Sequence, residues 1–164
     1  MIAIAAVDRN WAIGNKGQLL VHISEDMKNF RRLTSGKTVV YGRKTLETFP
    51  QGKPLPKREN IILSRNSEYT VENAVVVHSI PELKEYLQEK NTDDVIVIGG
   101  AAVYRSLLPL CDTAIITKVE NEYEADAWFD NLDEDPGWEC AERGEDRDCD
   151  GLIFHFDRYE RVKE

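Results

Sequence analysis

The strongest constraint on the fold is a series of short apolar runs, rich in β-branched residues, that alternate with stretches of helical character. Most of these runs are apolar on both faces, which is typical of strands buried in a largely parallel sheet. The predicted strands are Ile2–Val7, Thr38–Tyr41, Asn60–Leu63, Ala74–Val77, Val95–Ile98 and Thr113–Val119. The predicted helices are Ser24–Thr34, Arg43–Phe49, Ser79–Glu89 and Ala101–Leu108. The alternation predicts an α/β fold.

The last third of the chain has a different pattern, because no helix is predicted after Thr113. Two late runs, Trp138–Arg143 and Leu152–Tyr159, flank a polar segment that contains two glycines, which predicts an antiparallel hairpin at a sheet edge. We therefore predict an α/β domain with a mixed, mostly parallel central sheet of about eight strands, four flanking helices and a C-terminal antiparallel hairpin.

Length and composition exclude several classes of protein. A chain of 164 residues fits one hydrophobic core, so we predict a single domain over residues 1–164. With 41% hydrophobic residues the chain is too apolar to be disordered. The apolar runs are far shorter than the roughly 20 residues that span a bilayer, and the chain begins without a secretory signal pattern. We expect a cytoplasmic protein, with no membrane partner and with its three cysteines reduced.

The net charge of −9 argues against a nucleic-acid partner, but the charge is unevenly distributed. Residues 1–119 contain 16 Lys/Arg and 13 Asp/Glu, whereas residues 120–164 contain 5 and 17. We therefore expect an anionic small ligand to bind groups from the first two-thirds of the chain. Two long loops rich in Gly or Pro, Asp8–Ile23 and Pro50–Pro56, are candidates for a lid or a pocket wall.

Asp26 is the most unusual residue of the first helix, because it falls within an apolar stripe formed by Ile23, Met27, Phe30 and Leu33. In one interpretation it is an acid in the first helical turn, behind a capping Ser24, where it interacts well with the helix dipole. In the other it faces a pocket, where it binds a cationic or amidine-like group or takes part in proton transfer. The helix alone does not distinguish the two.

Glycines and cations follow several predicted strands. Gly99-Gly100 lies between a strand and a helix, where backbone N–H groups can bind a phosphate or simply permit a tight turn. Arg43 and Lys44 begin a short helix, and Arg65 follows the next strand, so the three cations can meet if those strands are neighbours. The alternative is a solvated surface set. Ser35-Gly36-Lys37-Thr38 is not a P-loop, because its first glycine is missing and a strand follows.

Other chemistry finds no support in the sequence. The three histidines have no metal-site spacing, and no serine has a nucleophile-elbow context, so we expect neither a metal nor hydrolytic acyl transfer. The three tryptophans are interpreted as packing residues.

Taken together, the segments resemble dihydrofolate reductase of the bacterial chromosomal type over nearly the whole chain. The resemblance is carried by the order and spacing of six motifs rather than by any one of them. These are Ile13-Gly14-Asn15, the acid followed by Phe30 and Thr34, Gly42-Arg43-Lys44-Thr45, Pro54-Leu55-Pro56, Arg58 with Asn60-Ile61-Ile62-Leu63-Ser64-Arg65, and Ile98-Gly99-Gly100-Ala101 with Val103-Tyr104.

The resemblance implies an NADPH-dependent oxidoreductase that reduces 7,8-dihydrofolate to tetrahydrofolate, with hydride added at C6 and a proton at N5, in support of one-carbon metabolism and nucleotide synthesis. It implies that Asp26, supported by Thr117, binds the pterin and promotes protonation through water. It implies that Arg58 pairs with the α-carboxylate of the glutamate tail. The pocket would be lined by Ile4, Ala6, Met27, Phe30, Phe49, Leu55 and Ile98.

For the cofactor, the resemblance implies that a set of small and polar residues contacts the nicotinamide and diphosphate, and that a cationic cluster selects NADPH over NADH. The first set is Ala6, Ile13, Thr45, Gly99, Gly100 and Tyr104, and the second is Arg43, Lys44 and Arg65. Further cofactor-binding positions implied are Gly42, Ser64, Ala101 and Val103. A cis Gly99-Gly100 peptide and a monomeric protein are also implied.

The chain departs from the family pattern before the first helix, where it reads Leu20-Val21-His22 instead of the usual Pro-Trp. That Trp helps to hold a water near the substrate, so His22, a shifted water or a different lid closure would have to compensate. Ala102 also replaces a phosphate-binding Arg of some members, and Leu46 replaces a frequent Trp.

Two other functions remain open at this point. One is a related NADPH-dependent reductase of the same fold, such as the pyrimidine reductase of riboflavin synthesis, against which Asp26 and Arg58 argue. The other is a non-catalytic nucleotide-binding module, for which Val21 is the best support. Oxidation of NADPH in the presence of dihydrofolate would distinguish them.

Overall fold

A computed structural model describes residues 1–163 of the chain, and it confirms the predicted α/β class and mostly parallel sheet. The strands are β1 (Ile2–Val7), β2 (Ala12–Asn15), β3 (Gln18–Leu19), β4 (Thr38–Gly42), β5 (Glu59–Leu63), β6 (Val75–Val77), β7 (Val95–Gly99), β8 (Thr113–Val119), β9 (Ala127–Trp128), β10 (Trp138–Arg143), β11 (Arg147–Cys149) and β12 (Leu152–Arg161). The helices are α1 (Ser24–Thr34), α2 (Arg43–Leu46), α3 (Ile80–Leu87) and α4 (Ala101–Leu107), with single 3₁₀ turns at Pro50–Gly52, Thr92–Asp94 and Leu108–Leu110.

The central sheet has the strand order β10-β12-β8-β1-β7-β4-β5-β6, with β11 paired to β12. Strands β8, β1, β7, β4, β5 and β6 are parallel, whereas β12 runs antiparallel to β8 and β10. The parallel strands are buried on both faces because their apolar runs leave no polar face for solvent. The predicted C-terminal pairing of Trp138–Arg143 with Leu152–Tyr159 is confirmed.

Helix α1 has the predicted bounds, but its N-cap lies one position earlier than the capping interpretation predicts. Ser24 is its first residue and not its N-cap, because Ile23 is the extended residue that precedes the helix and makes no side-chain capping bond. Ile23 is buried against Val119 and Phe154, so apolar packing rather than a cap places the start of the helix.

Ser79 caps the N-terminus of helix α3. The Ser79 hydroxyl accepts from the Glu82 backbone N–H at 3.1 Å, but the Glu82 carboxylate accepts from His78 N–H instead of from Ser79. The cap is therefore reciprocal, but the bond from Glu82 goes to the N–H of His78, one residue before Ser79.

A second, three-stranded sheet of order β3-β2-β9 takes β2 and β3 from the segment predicted as the Asp8–Ile23 loop and β9 from the segment after β8. One of its residues corrects an expectation, since Trp128 is 50% exposed and is not a packing residue, whereas Trp11 and Trp138 are buried. Among residues 1–163 no helix is long and apolar enough to cross a membrane.

Candidate active site

The site lies at the carboxyl edge of the parallel strands, where open α/β sheets bind their ligands. Asp26, in the first turn of α1, meets the end of β8 there, and the Thr117 hydroxyl donates a hydrogen bond to Asp26 Oδ1 at 2.6 Å. Thr117 is buried and pairs with Ala6 of β1. The structure therefore favours the pocket interpretation of Asp26 over the capping interpretation.

The electrostatics of Asp26 separate it from its neighbour Glu25. Burial raises the pKa of the Asp26 carboxyl, and the Thr117 hydrogen bond and the charge of His22 oppose this by lowering it. Glu25 is exposed and forms an ion pair with Arg147 at 2.7 Å. Asp26 is thus a partly buried carboxyl with a raised pKa, whereas the Glu25 carboxylate is held by a cation at the surface.

His22, which follows the position of the family's missing Trp, is exposed, yet its charge acts on Asp26. Its effect is to stabilise the ionised carboxylate, opposite to the effect of burial. Val21 therefore stands where the family has Trp, and the imidazole of His22 follows it next to the site.

The predicted pocket residues come from β1, α1, β7 and the segment between α2 and β5. Phe49, Leu55 and Ile98 pack in one cluster with Tyr41 and Leu46, and the Phe49 ring lies edge-on to that of Tyr41. Ile4 on β1 lies beside β7, and its carbonyl accepts a hydrogen bond from the Tyr104 hydroxyl at 2.6 Å. The remaining predicted members are half-buried on α1 and β1, namely Met27, Phe30 and Ala6.

Arg58 carries an unsatisfied buried donor. Among residues 1–163 its Nε is the one buried side-chain nitrogen or oxygen without a hydrogen-bond partner. Burial lowers the pKa of the Arg58 guanidinium, and the neighbouring Arg31 lowers it further. A carboxylate bound here would satisfy Nε and relieve the repulsion between the two cations.

The cationic residues predicted to bind a phosphate converge on neighbouring strand ends. Gly42 of β4 pairs with Leu63 of β5, so the residues that follow, Arg43 and Lys44 on one side and Ser64 and Arg65 on the other, share one edge. In the part of the chain that the structure describes, none of these cations is ion-paired with a carboxylate.

Two residues at this edge were not predicted. The Arg43 guanidinium lies 4.7 Å from the ring centre of Tyr69, and His78 Nδ1 lies 2.8 Å from the Ser64 carbonyl. Because a carbonyl only accepts, Nδ1 is the donor. Neither contact has a local signal in the sequence.

Gly99 and Gly100 join β7 to α4 through a cis peptide bond, and Gly99 has φ +133°. A Cβ at either glycine would lie 3.6 Å from the Thr45 hydroxyl. Side chains here would narrow the space between α2 and the glycines, so the two glycines leave room for a diphosphate beside Thr45, Ala101 and the α4 N-terminus. Val103 lies on the same helix, 3.1 Å from where a Gly42 Cβ would be. The residues present thus fit a dinucleotide with an extra phosphate.

The candidate lid, the segment Asp8–Ile23, is held to the loop that follows β8. Asp126 N–H donates to the Gly14 carbonyl at 3.0 Å, and Asp126 Oδ2 accepts from Lys16 N–H at 3.0 Å. Asp8 adds a second tie, because its buried carboxylate accepts from Ala12 N–H and from Tyr123 N–H. Ile13 packs against the main core from this lid.

Asp8, Asp126, Arg31 and Asn60 are site-shaping residues that the sequence did not single out. Each acts through a contact with a distant segment or a neighbouring loop. An acid directly after the apolar run of β1, as at Asp8, is the one local signal that could have been used.

Comparison with known proteins agrees with this geometry. The dihydrofolate reductase family model matches residues 1–161. Dihydrofolate reductase of Neisseria gonorrhoeae is 36% identical over 157 residues, which cover 95% of this chain and 94% of that protein. The Bacillus subtilis (strain 168) dihydrofolate reductase is 32% identical over 160 residues, with 96% and 92% covered.

A solved structure of dihydrofolate reductase from Enterococcus faecalis, complexed with NADP(H) and RAB-propyl, superposes with a TM-score of 0.85 at 32% identity, over 99% of this chain and 96% of that one. A family match over the whole described fold, together with a buried acid on α1 and a cis glycine pair after β7, leaves one assignment. The chain belongs to the dihydrofolate reductase family.

Proposed function

We propose that this chain reduces 7,8-dihydrofolate to 5,6,7,8-tetrahydrofolate with NADPH as the reductant. The observation that carries the proposal is the buried Asp26 carboxyl bonded to Thr117 at the carboxyl edge of the sheet. The family assignment supports the same reaction.

Asp26 is proposed to bind the pterin through the carboxylate oxygen that Thr117 does not occupy. The 2-amino group and N3 of a pterin are adjacent donors, and a carboxylate is the matching acceptor. Because burial raises its pKa, Asp26 keeps a proton at higher pH than an exposed acid and promotes protonation of N5 through water. Thr117 fixes the orientation of the carboxyl group.

NADPH, when bound, supplies the hydride. We propose that Gly99, Gly100, Thr45 and Ala101 hold its diphosphate, with Gly42, Val103 and Tyr104 packed beside them, and that Ala6 and Ile13 flank the nicotinamide. Arg43, Lys44, Ser64 and Arg65 are proposed to bind the 2′-phosphate, because unpaired cations at one edge suit a dianion.

Seven apolar residues are proposed to enclose the pterin and its benzoyl group, and Arg58 to bind the α-carboxylate. They are Ile4, Ala6, Met27, Phe30, Phe49, Leu55 and Ile98. The free Arg58 Nε supports this role, since a pyrimidine reductase substrate would bring no glutamate tail to satisfy it.

The test is NADPH oxidation by the purified protein with dihydrofolate, compared with NADH and with Asp26→Asn. We expect rapid turnover with NADPH, slow turnover with NADH and a large loss in the variant. Binding of NADPH with no turnover of dihydrofolate would instead support the pyrimidine reductase or the non-catalytic module.

We further propose that residues 1–164 act as one domain and as a monomer in the cytoplasm, without a nucleic-acid partner. Light scattering on a size-exclusion column should give the mass of one 18.8 kDa chain. A mass of two chains at micromolar concentration would contradict the monomer.

A further inference from the structure

Asn60 makes four hydrogen bonds from a buried position on β5. Its Oδ1 accepts from Leu55 N–H at 3.0 Å and from the Tyr41 hydroxyl at 2.8 Å. Its Nδ2 donates to the Leu55 carbonyl at 2.9 Å and to the Arg58 carbonyl at 3.0 Å. Two donors and two acceptors face the matching halves of the amide, so an aspartate, a leucine or a flipped amide could not make the same set.

The segment that Asn60 holds has no regular structure of its own. Residues 53–58 belong to no helix or strand, and Pro54 and Pro56 on either side of Leu55 have no N–H to donate. Asn60 bonds both the N–H and the carbonyl of Leu55, as a residue of a neighbouring antiparallel strand would. One side chain therefore substitutes for the missing strand partner.

The same amide reaches the residue with the unsatisfied guanidinium nitrogen. The Arg58 carbonyl is held by Asn60 Nδ2, while Arg58 Nε has no partner among residues 1–163. Lys57, the residue before Arg58, has φ +62°, and its carbonyl accepts a hydrogen bond from Gly36 N–H at 2.9 Å. The Arg58 backbone is thus fixed by Asn60 on one side and by the end of α1 on the other.

Tyr41 fixes which way the amide faces. It lies on β4, next to β5, and is fully buried. Its hydroxyl donates to Asn60 Oδ1, so the amide that presents Nδ2 to the two carbonyls is the favoured orientation. Tyr41 also packs edge-on against Phe49, with ring centres 5.0 Å apart.

We propose that Asn60, oriented by Tyr41, is a positioning residue for the carboxylate tail of the substrate: it sets the backbone of Leu55 and Arg58 so that the Arg58 guanidinium meets the tail. The inference rests on the proposed function, because it takes the tail carboxylate as the ligand of Arg58. It assigns Asn60 no contact with the pterin ring. Its loss should therefore affect recognition of the tail and leave the reaction at the ring intact.

The test compares dihydrofolate with 6-methyl-7,8-dihydropterin, which has the reacting ring and no tail. Asn60→Ala should raise KM for dihydrofolate about tenfold with little change in kcat, because charged hydrogen bonds depend on placement. Tyr41→Phe should raise it about threefold by the loss of one hydrogen bond. With the tail-less substrate both variants should retain kcat/KM within about twofold.

A double-mutant cycle tests whether Asn60 acts through Arg58. Arg58→Gln should raise KM for dihydrofolate strongly in the natural chain and by less than about twofold in the Asn60→Ala background. Additive losses would overturn the proposal. So would an equal loss with both substrates, since that is the result expected from general damage to the fold.

Leu83→Ala is the matched control for lost stability. Leu83 is fully buried on α3, near Met1 at the opposite end of β1, so the variant loses stability without touching the site. It should leave the preference between the two substrates unchanged. If Asn60→Ala does not fold, Tyr41→Phe and its cycle with Arg58→Gln decide the question.

Equilibrium binding of the two compounds, followed by tryptophan fluorescence, separates this inference from the proposed function. If the natural chain binds both and reduces neither with NADPH, the proposed function fails. The inference still stands or falls on whether Tyr41→Phe and Asn60→Ala weaken binding of dihydrofolate alone.

Discussion

The hydroxyl of Thr117 donates to Asp26 Oδ1 at 2.6 Å, across 91 positions of sequence. The bond favours the ionised carboxylate, whereas burial of the same group favours the protonated form and has the larger effect. The hydrogen bond that fixes the orientation of the Asp26 carboxyl therefore also opposes protonation of that carboxyl. Three predictions follow from this pair of effects.

The first concerns activity. Asp26→Asn keeps the size of the side chain but removes the proton-transferring group, so NADPH oxidation with dihydrofolate should fall at least about 100-fold at pH 7. NADPH affinity, measured by fluorescence titration, should stay unchanged. Glu25→Gln is the control, because Glu25 is exposed and paired with Arg147. Normal turnover by Asp26→Asn would remove Asp26 from the mechanism.

The second concerns the pH dependence of turnover. If the protonated carboxyl is required, activity falls as pH rises through the pKa of Asp26, which burial raises. Thr117→Val removes a bond that lowers this pKa, so the descending limb of kcat/KM against pH should move to higher pH. Thr117→Ser keeps the hydroxyl and should keep the natural profile. A limb that moves to lower pH would contradict the assigned sign.

The third concerns stability. A carboxyl whose pKa is raised in the folded protein binds more protons folded than unfolded, so its contribution to the free energy of unfolding falls as pH rises above its ordinary value of 3.8. Asp26→Asn does not titrate, so its melting temperature should exceed that of the natural chain at pH 7. The difference should shrink toward pH 4. A variant with a lower melting temperature than the natural chain at pH 7 would show that the charge of Asp26 does not destabilise the folded protein.

The order of the fold was predictable where the signal was local. Ser24–Thr34 and Thr113–Val119 have the predicted bounds, because a helical stripe and a buried apolar run each act over a few neighbouring residues. Strand β9, Ala127–Trp128, was missed, since two residues carry no period and its pairing with β2 depends on a bond between Asp126 and Gly14.

The residues of the site, like the elements of the fold, were predictable only where the sequence signal is local. Asp26 could be singled out from its position on an apolar stripe. The choice between its two interpretations required the contact with Thr117, which lies on a distant strand. The role of Arg58 was predicted only through the resemblance to the family, and that of Asn60 was not predicted. Both roles depend on missing hydrogen-bond partners, those of the loop with two prolines and of Arg58 Nε. Only the packed structure shows that these partners are missing.

The cofactor preference gives a fourth prediction. Arg65 is exposed at the edge that β4 and β5 share, so Arg65→Gln should raise the Kd for NADPH about tenfold, as expected for the loss of a charged hydrogen bond to phosphate. The Kd for NADH, which has no 2′-phosphate, should change less than about twofold. Arg105→Gln on α4 removes the same charge elsewhere and is the control. An equal rise in Kd for both cofactors would show that Arg65 does not bind the 2′-phosphate.

The last prediction concerns the turn after β10, where Gly144 passes directly over β12. Its N–H donates to Asp157 Oδ1 at 3.2 Å, and a Cβ built on Gly144 would collide with the Phe156 carbonyl oxygen and lie 3.1 Å from the Phe156 backbone N and C. Backbone atoms in a paired strand cannot move aside as a side chain can. Gly144→Ala should therefore lower the free energy of unfolding by about 2 kcal/mol or more.

Gly151, in the next turn, provides the comparison. It has φ +90° with open space around its Cβ position, so Gly151→Ala should cost only the backbone strain, about 1 kcal/mol. Urea unfolding of both variants at pH 7 measures the difference directly. Because nothing lies within 4 Å of the Gly151 Cβ position, kcat/KM with dihydrofolate should be unchanged for Gly151→Ala. Equal destabilisation would mean that β10 and β12 separate easily enough to admit a methyl group.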